Sequence, residues 1–279
     1  MANMANMKKA EILLGLAGTP TITRDGTLEG IRDAARLGLS ALEVQYTYGV
    51  QMSMALAKRC GEVARENSIH LSCHAPYYVN LCNPKKLKAS VERILSAAGR
   101  MGAMGGGVVV FHPGFYGKLE VEEASDRVRA ACEEMGKLLP ANTLLGLETT
   151  GKISQFGTLG EIVEVCKVVN KDAGLKFCVP VVDFAHIYAR QDGQIDYGQV
   201  LKSLEPLQLK RVHSHFSNVE FTDKGERRHL VLDDSPPFEP LAREVLKRKL
   251  SITIISESPV LEKDSLRMKL MLEKLGHRF

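Results

Sequence analysis

His74, His112, Glu148, Asp183, His186, His215 and Glu257 share one kind of surrounding: each closes, or directly follows, a short run of apolar, mostly β-branched residues. The runs are HLSCHAP from His70, GVVVFHP from Gly107, LLGLETT from Leu144, CVPVVDFAH from Cys178, LKRVHSHFS from Leu209 and ITIISES from Ile252. Histidine mixed with carboxylate is the donor set of zinc, manganese or iron(II), not of calcium. Carboxylates gathered without partners repel one another, and cations relieve that repulsion. A single histidine at such a place is more often a hydrogen-bonded structural residue, and a single glutamate is more often simply solvated. Histidine, histidine, glutamate, aspartate, histidine and glutamate on consecutive runs point instead to a metal site.

For these side chains to meet, the runs must be parallel neighbours. Two more runs, ILLGLA from Ile12 and ALEVQY from Ala41, precede them and bring the number to eight. Near-continuous apolar runs are the mark of strands buried on both faces. Helices are expected between them over 27–39, opening on a Thr27 cap, and over 53–67, 86–101, 120–138, 158–169, 197–204, 240–250 and 263–275. Eight strand-then-helix units in 279 residues suit one (β/α)8 TIM barrel, which takes about 250 residues. The chain therefore reads as a single α/β TIM-barrel domain over 1–279. A doubly wound open sheet is the alternative, but LAGTP after the first run lacks its Gly-rich phosphate loop. A barrel gathers the C-terminal ends of its strands at one mouth, where such folds build their active sites.

The rest of the composition limits the context. No apolar run is long enough to span a bilayer. The opening MANMANMKK lacks the apolar core of a signal peptide, so a cytoplasmic location is expected. Six cysteines without a CxxC pair read as reduced core thiols. Cys73 adjoins His74, and strand alternation points it the other way. A net charge of +4 is compatible with a polyanionic partner without requiring one.

From about Leu71 to Glu257, the segments HAPYYVNL, VVVFHPG, LLGLETT, VVDFAH, HSHFSN and IISES resemble, in order, the endonuclease IV family of apurinic/apyrimidinic endonucleases. The first two runs resemble it poorly. The resemblance implies a DNA repair nuclease that hydrolyses damaged double-stranded DNA at abasic sites, working as a monomer with a trinuclear zinc cluster. By motif, His74, His112 and Glu148 would hold the first ion. Glu148 would bridge to a second, held also by Asp183, His215 and Glu257. His186 and His229 would hold the third. Glu148, setting the metal spacing, and Glu257, as proton acceptor, are then the catalytic residues. Manganese is the alternative metal. Tyr77 matches an aromatic residue that enters the minor groove, and Tyr78 stands where a wedge unstacks the duplex. Ordinary rim packing is the alternative for both.

Two positions depart from that pattern. The family places an aspartate two residues before the loop histidine, but GERRHLVL puts Arg227 there. Two zinc ions are thus expected, with the third weak or absent, and Arg227 becomes a candidate contact for substrate phosphate. Alternatively Glu226, one residue further away, turns inward, which needs a loop of different shape. In the second run QYTYGVQM carries Tyr46 and Tyr48 where the family has a basic residue. His213 shares a face with His215 one layer deeper and suits a hydrogen bond to a ligand carboxylate; His70 reads as structural. A sugar isomerase or epimerase of the xylose isomerase-like barrels would need one divalent metal on Glu148, Asp183, His215 and Glu257. His74, His112, His186 and His229 together separate the nuclease from it. A non-catalytic barrel binding nucleic acid or a protein partner would leave all these donors idle.

Overall fold

The computed structural model describes residues 10–279. The segment MANMANMKK, and the expectation attached to it, lies outside the described residues. Eight parallel strands are numbered here in chain order: β1 (Ile12–Ala17), β2 (Ala41–Gln45), β3 (His70–His74), β4 (Gly107–Phe111), β5 (Thr143–Glu148), β6 (Cys178–Asp183), β7 (Val212–Phe216) and β8 (Ile252–Ser256). Each pairs with its neighbours in sequence, and β8 returns to β1, so the sheet closes into the expected TIM barrel. Alternation along each strand sends one set of side chains outward against the helices, including Leu14, Val44, Cys73, Val109, Leu145 and Ile254. Cys73 thus faces away from His74, and all six cysteines are buried and free. Each fully buried side chain, such as Phe111 or Phe216, contributes about 1.5–3 kcal/mol through the area it removes from water.

Nine α-helices are found among the described residues: α1 (Gly26–Arg36), α2 (Met54–Glu66), α3 (Pro84–Met104), α4 (Val121–Gly136), α5 (Leu159–Ala173), α6 (Phe184–Arg190), α7 (Tyr197–Ser203), α8 (Phe238–Arg248) and α9 (Glu262–Lys274). Their starts are chemically marked. Ser53 caps α2 through the Leu56 N–H, and Thr158 forms a reciprocal capping box with Glu161 on α5. Thr27 is not a cap: α1 starts at Gly26, and Thr27 lies in its first turn. The run from Cys178 also ends sooner than its composition suggests. It stops at Asp183, whose carboxylate accepts the His186 N–H at 2.8 Å and so starts α6. His186 is therefore a first-turn helix residue, not a strand end.

Two small additions sit above the C-terminal mouth. One is an antiparallel hairpin, Asn218–Thr222 with Gly225–Leu230, in the β7-to-β8 connection. The other pairs Gly114–Phe115 with Gln155–Phe156. No helix among the described residues is long and apolar enough to cross a membrane.

Candidate metal centre

Glu148 ends β5 fully buried at the centre of the mouth. Its Oε2 lies 3.0 Å from both His74 Nε2 and His112 Nε2. Its Oε1 lies 3.0 Å from His215 Nδ1 and 3.5 Å from His186 Nδ1. The carboxylate thus faces one pair of imidazoles with each oxygen. Around it the donors fall into sets whose ligand atoms lie within 4.8 Å of one another: His74, His112 and Glu148; Glu148, Asp183, His215 and Glu257; and Asp183, His186 and His229. Glu257, one residue beyond β8, joins the last two sets, with Oε1 3.4 Å from His215 Nδ1 and Oε2 3.5 Å from His229 Nε2. The Nδ1 atoms of His74 and His186 are held by the carbonyls of Ala75 (2.7 Å) and Thr149 (2.8 Å). Both rings therefore turn Nε2 toward carboxylates, the former to Glu148 and the latter to Glu226.

Electrostatics couple the sets. Burial alone would push the Glu148 carboxyl up, but the His112 and His215 imidazoles hold it well below the usual carboxylate range. Burial opposes charge on His215 too, yet Glu257, Glu43 and Glu148 together lift its pKa well above the ordinary imidazole value. His186 is lifted in the same way, chiefly by Asp183 and Glu226 against burial. His74 is raised by its bond to Glu148, again against burial. Glu257 is pushed up, first by burial and then by Glu148, with His215 offsetting only part.

The donors suit divalent cations on one further observation. Asp183 Oδ2 is buried without a hydrogen-bond partner among the described residues. It lies 3.6 Å from His186 Nδ1 and 4.0 Å from His215 Nδ1. A buried carboxylate oxygen left unpaired is costly, and a cation ringed by nitrogen and carboxylate donors is the partner this arrangement fits.

Arg227 does not occupy the third carboxylate's place. Its side chain is 66% exposed and pairs with Glu220, as does that of Arg228. Glu226 faces the centre instead: Oε2 is 3.3 Å from His186 Nε2, and Oε1 is 3.8 Å from His229 Nε2. The cause is a β-bulge. Arg228 pairs with Glu220 and Glu226 with Phe221, leaving Arg227 as the extra residue. In a regular strand, residues 226 and 229 would face opposite sides; the bulge returns them to one. Burial would raise the Glu226 carboxyl, but its bond to His186 and the nearby His229 hold it down to about 2. Arg227 thus lies at the surface away from the centre, and it is Glu226 that turns inward.

A cavity of about 320 Å³ opens over this cluster, lined by Tyr77, His112, Lys152, Glu226, His229 and Glu257 among others. Tyr77 stands on its rim, 54% exposed, with its ring 5.4 Å from that of His74; Tyr78, 60% exposed, lines a neighbouring cavity with Lys85, Lys86 and Arg93. Tyr48 is exposed, whereas Tyr46 is buried in the core. A larger cavity, about 430 Å³, opens at the opposite mouth with His70 and His213 in its wall; it holds none of the donors described above. Below the cluster lies Glu43, a residue that the sequence reading passed over. It is a single acid inside the run ALEVQ, and its side chain points into the barrel toward His213 at 3.0 Å and His215 at 3.1 Å. His213 thus bonds a buried carboxylate, but that of Glu43.

Comparison with known proteins adds four facts. The family model described as "Xylose isomerase-like TIM barrel" matches residues 31–273. An uncharacterized protein of Methanocaldococcus jannaschii is 34% identical over 268 residues, which cover 91% of this chain and 94% of the relative. A "Probable endonuclease 4" of Aster yellows witches'-broom phytoplasma is 25% identical over 248 residues, 82% of this chain and 84% of that protein. Among solved structures, a D-tagatose 3-epimerase-like protein aligns with a TM-score of 0.67 at 18% identity, covering 94% of this chain and 96% of its own. At that identity the likeness speaks to fold alone.

Proposed function

The chain belongs to the xylose isomerase-like TIM-barrel family, and within it we propose a metal-dependent phosphodiesterase that cleaves DNA at abasic sites. One observation carries the reading. His74 and His112 on one side, and His186 and His229 with Glu226 on the other, add two donor sets to the four residues that a single-metal barrel would need. The identity to endonuclease 4 relatives runs in the same direction.

In this reading His74, His112 and Glu148 hold one ion; Glu148, Asp183, His215 and Glu257 a second; and His186, His229 and Glu226 a third. Zinc fits the imidazole-rich donor set best, with manganese as the alternative. Such cations supply charge neutralisation for phosphate oxygens and an acidified water as nucleophile. The chain's own side chains do the rest. Glu148 spaces the two inner sets, because its two oxygens face different imidazole pairs. Glu257 is a partly accessible carboxylate in the cavity wall and takes the proton of the attacking water. Tyr77 and Tyr78 stack against the opened base step at the rim.

The epimerase reading is favoured by the four-residue set and the barrel shape of the sugar epimerases. One experiment separates the two. Zinc-loaded protein is given a duplex with a single abasic site, the undamaged duplex and a panel of ketohexoses. Incision of the abasic duplex alone is expected, abolished by a chelator. Sugar epimerisation without incision would replace this reading with the other.

A further inference from the structure

Glu43 lies fully buried on β2, one layer below the cluster, and the chemistry above does not use it. Its carboxylate is tightly surrounded. Oε2 accepts from Ser72 Oγ at 2.8 Å and sits 3.0 Å from His213 Nε2. Oε1 accepts from Gln45 Nε2 at 3.1 Å and sits 3.1 Å from His215 Nε2. At that distance His215 Nε2 is within ion-pair range yet off the line of a hydrogen bond, and among the described residues it has no other partner. Its second nitrogen, Nδ1, faces Glu148, Glu257 and Asp183. One imidazole thus spans from a buried acid to the metal centre.

We propose that Glu43 is a positioning residue for the metal centre: its carboxylate, 3.1 Å from His215 Nε2, keeps the imidazole proton on that nitrogen and so fixes the tautomer that presents Nδ1 to the ion. Its negative charge also makes that nitrogen a stronger donor, as carboxylates behind metal-bound histidines do. The inference rests on the reading that the cluster binds metal. Glu43, His213 and His215 are close enough to hold an ion of their own. That arrangement would strip both protons from His215 and displace the donors Ser72 and Gln45 that already fill the carboxylate. A buried acid with neutral and imidazole donors around it is the simpler chemistry.

The test is zinc affinity, measured by competition with a chromophoric chelator, together with the absorption spectrum of the cobalt(II)-loaded protein. Glu43→Gln keeps shape and removes charge. It is expected to bind zinc about 10- to 100-fold more weakly, to shift the cobalt spectrum, and to keep the wild-type number of ions at saturation. Should Glu43→Gln fail to fold, Glu43→Asp keeps the charge but draws it back from His215, and the same measurements apply with a smaller loss. Wild-type affinity and spectrum in a folded variant would overturn the proposal, and so would loss of a whole ion at saturating zinc, which would make Glu43 a ligand. Wild-type protein that takes up no metal would overturn the reading of the centre itself, whatever the variants do.

Discussion

Glu226 is a half-buried acid with an imidazole on each side, while Arg227 next to it is spent on Glu220 at the surface. The two therefore separate cleanly under substitution. Glu226→Ala is expected to lose one bound ion, because it removes the hairpin carboxylate that lies 3.3 Å from His186 Nε2 and 3.8 Å from His229 Nε2. Arg227→Ala is expected to keep the full complement and to bind DNA with an unchanged salt dependence, since it breaks only a solvent-exposed pair. Metal analysis of both variants decides it; an ion lost from Arg227→Ala would contradict the geometry. Glu257→Gln is expected to stay folded and to lose most activity, since an amide is a poorer ligand and accepts no proton. A cleavage assay beside circular dichroism checks both halves, and wild-type rates would remove Glu257 from the chemistry. The strand-end donors were readable because each interrupts an apolar run at the place where a barrel strand ends. Glu226 was readable only as an alternative. A spacing of three to His229 has the wrong parity for one face of a strand, and nothing in the composition of GERRHL announces the bulge that repairs it. Glu43 escaped because a lone acid in ALEVQ looks like a tolerated interruption until its neighbours are known.

The hairpin that carries Glu226 and His229 is an added element, and its seating on the barrel depends on two glycines. Gly225 has a φ of +93°, and a Cβ there would fall 2.1 Å from the Gly151 carbonyl oxygen. A Cβ on Gly151 would in turn meet the Glu226 side chain at 2.5 Å. The Glu226 N–H bonds the Gly151 carbonyl at 3.0 Å, so backbone contact fixes the hairpin against the loop after β5. Gly225→Val is therefore expected to lift the hairpin and withdraw both third-site donors while the barrel stays intact. One ion fewer with a thermal transition close to wild type is the expected pair of results. A full metal complement would show that seating on Gly151 is not what positions the donors. The eight strands and most helices could be read from hydrophobic runs and spacing, because the barrel buries them so regularly. The helix at Phe184–Arg190 could not, since VVDFAH is as apolar as a strand and only the Asp183 cap marks the change. The hairpin was missed for the opposite reason: a polar, strand-length segment with one face toward a charged centre has no apolar alternation to betray it.

At the scale of the whole molecule the barrel holds a store of opposed charges whose balance depends on pH. Glu226 sits at about 2 in the fold, below the roughly 4.3 of an unfolded glutamate. Its contribution to stability is therefore complete above about pH 4.3 and is lost as pH falls toward its folded value. His74, His186 and His215 are raised above the ordinary value of about 6.5. Theirs is complete below about pH 6.5 and is lost as pH climbs through the raised values. Metal-free protein should thus be most stable between about pH 4.5 and 6.5 and weaken on either side. A cation reverses the alkaline half, because it binds imidazoles only after they give up their protons. Zinc should raise the melting temperature by more at about pH 8 than at about pH 6, and its addition to weakly buffered protein near neutrality should release protons. Melting curves with and without zinc at the two pH values, with a pH electrode following the titration, test both. An equal rise at the two pH values with no proton release would mean that these histidines are not where the metal binds.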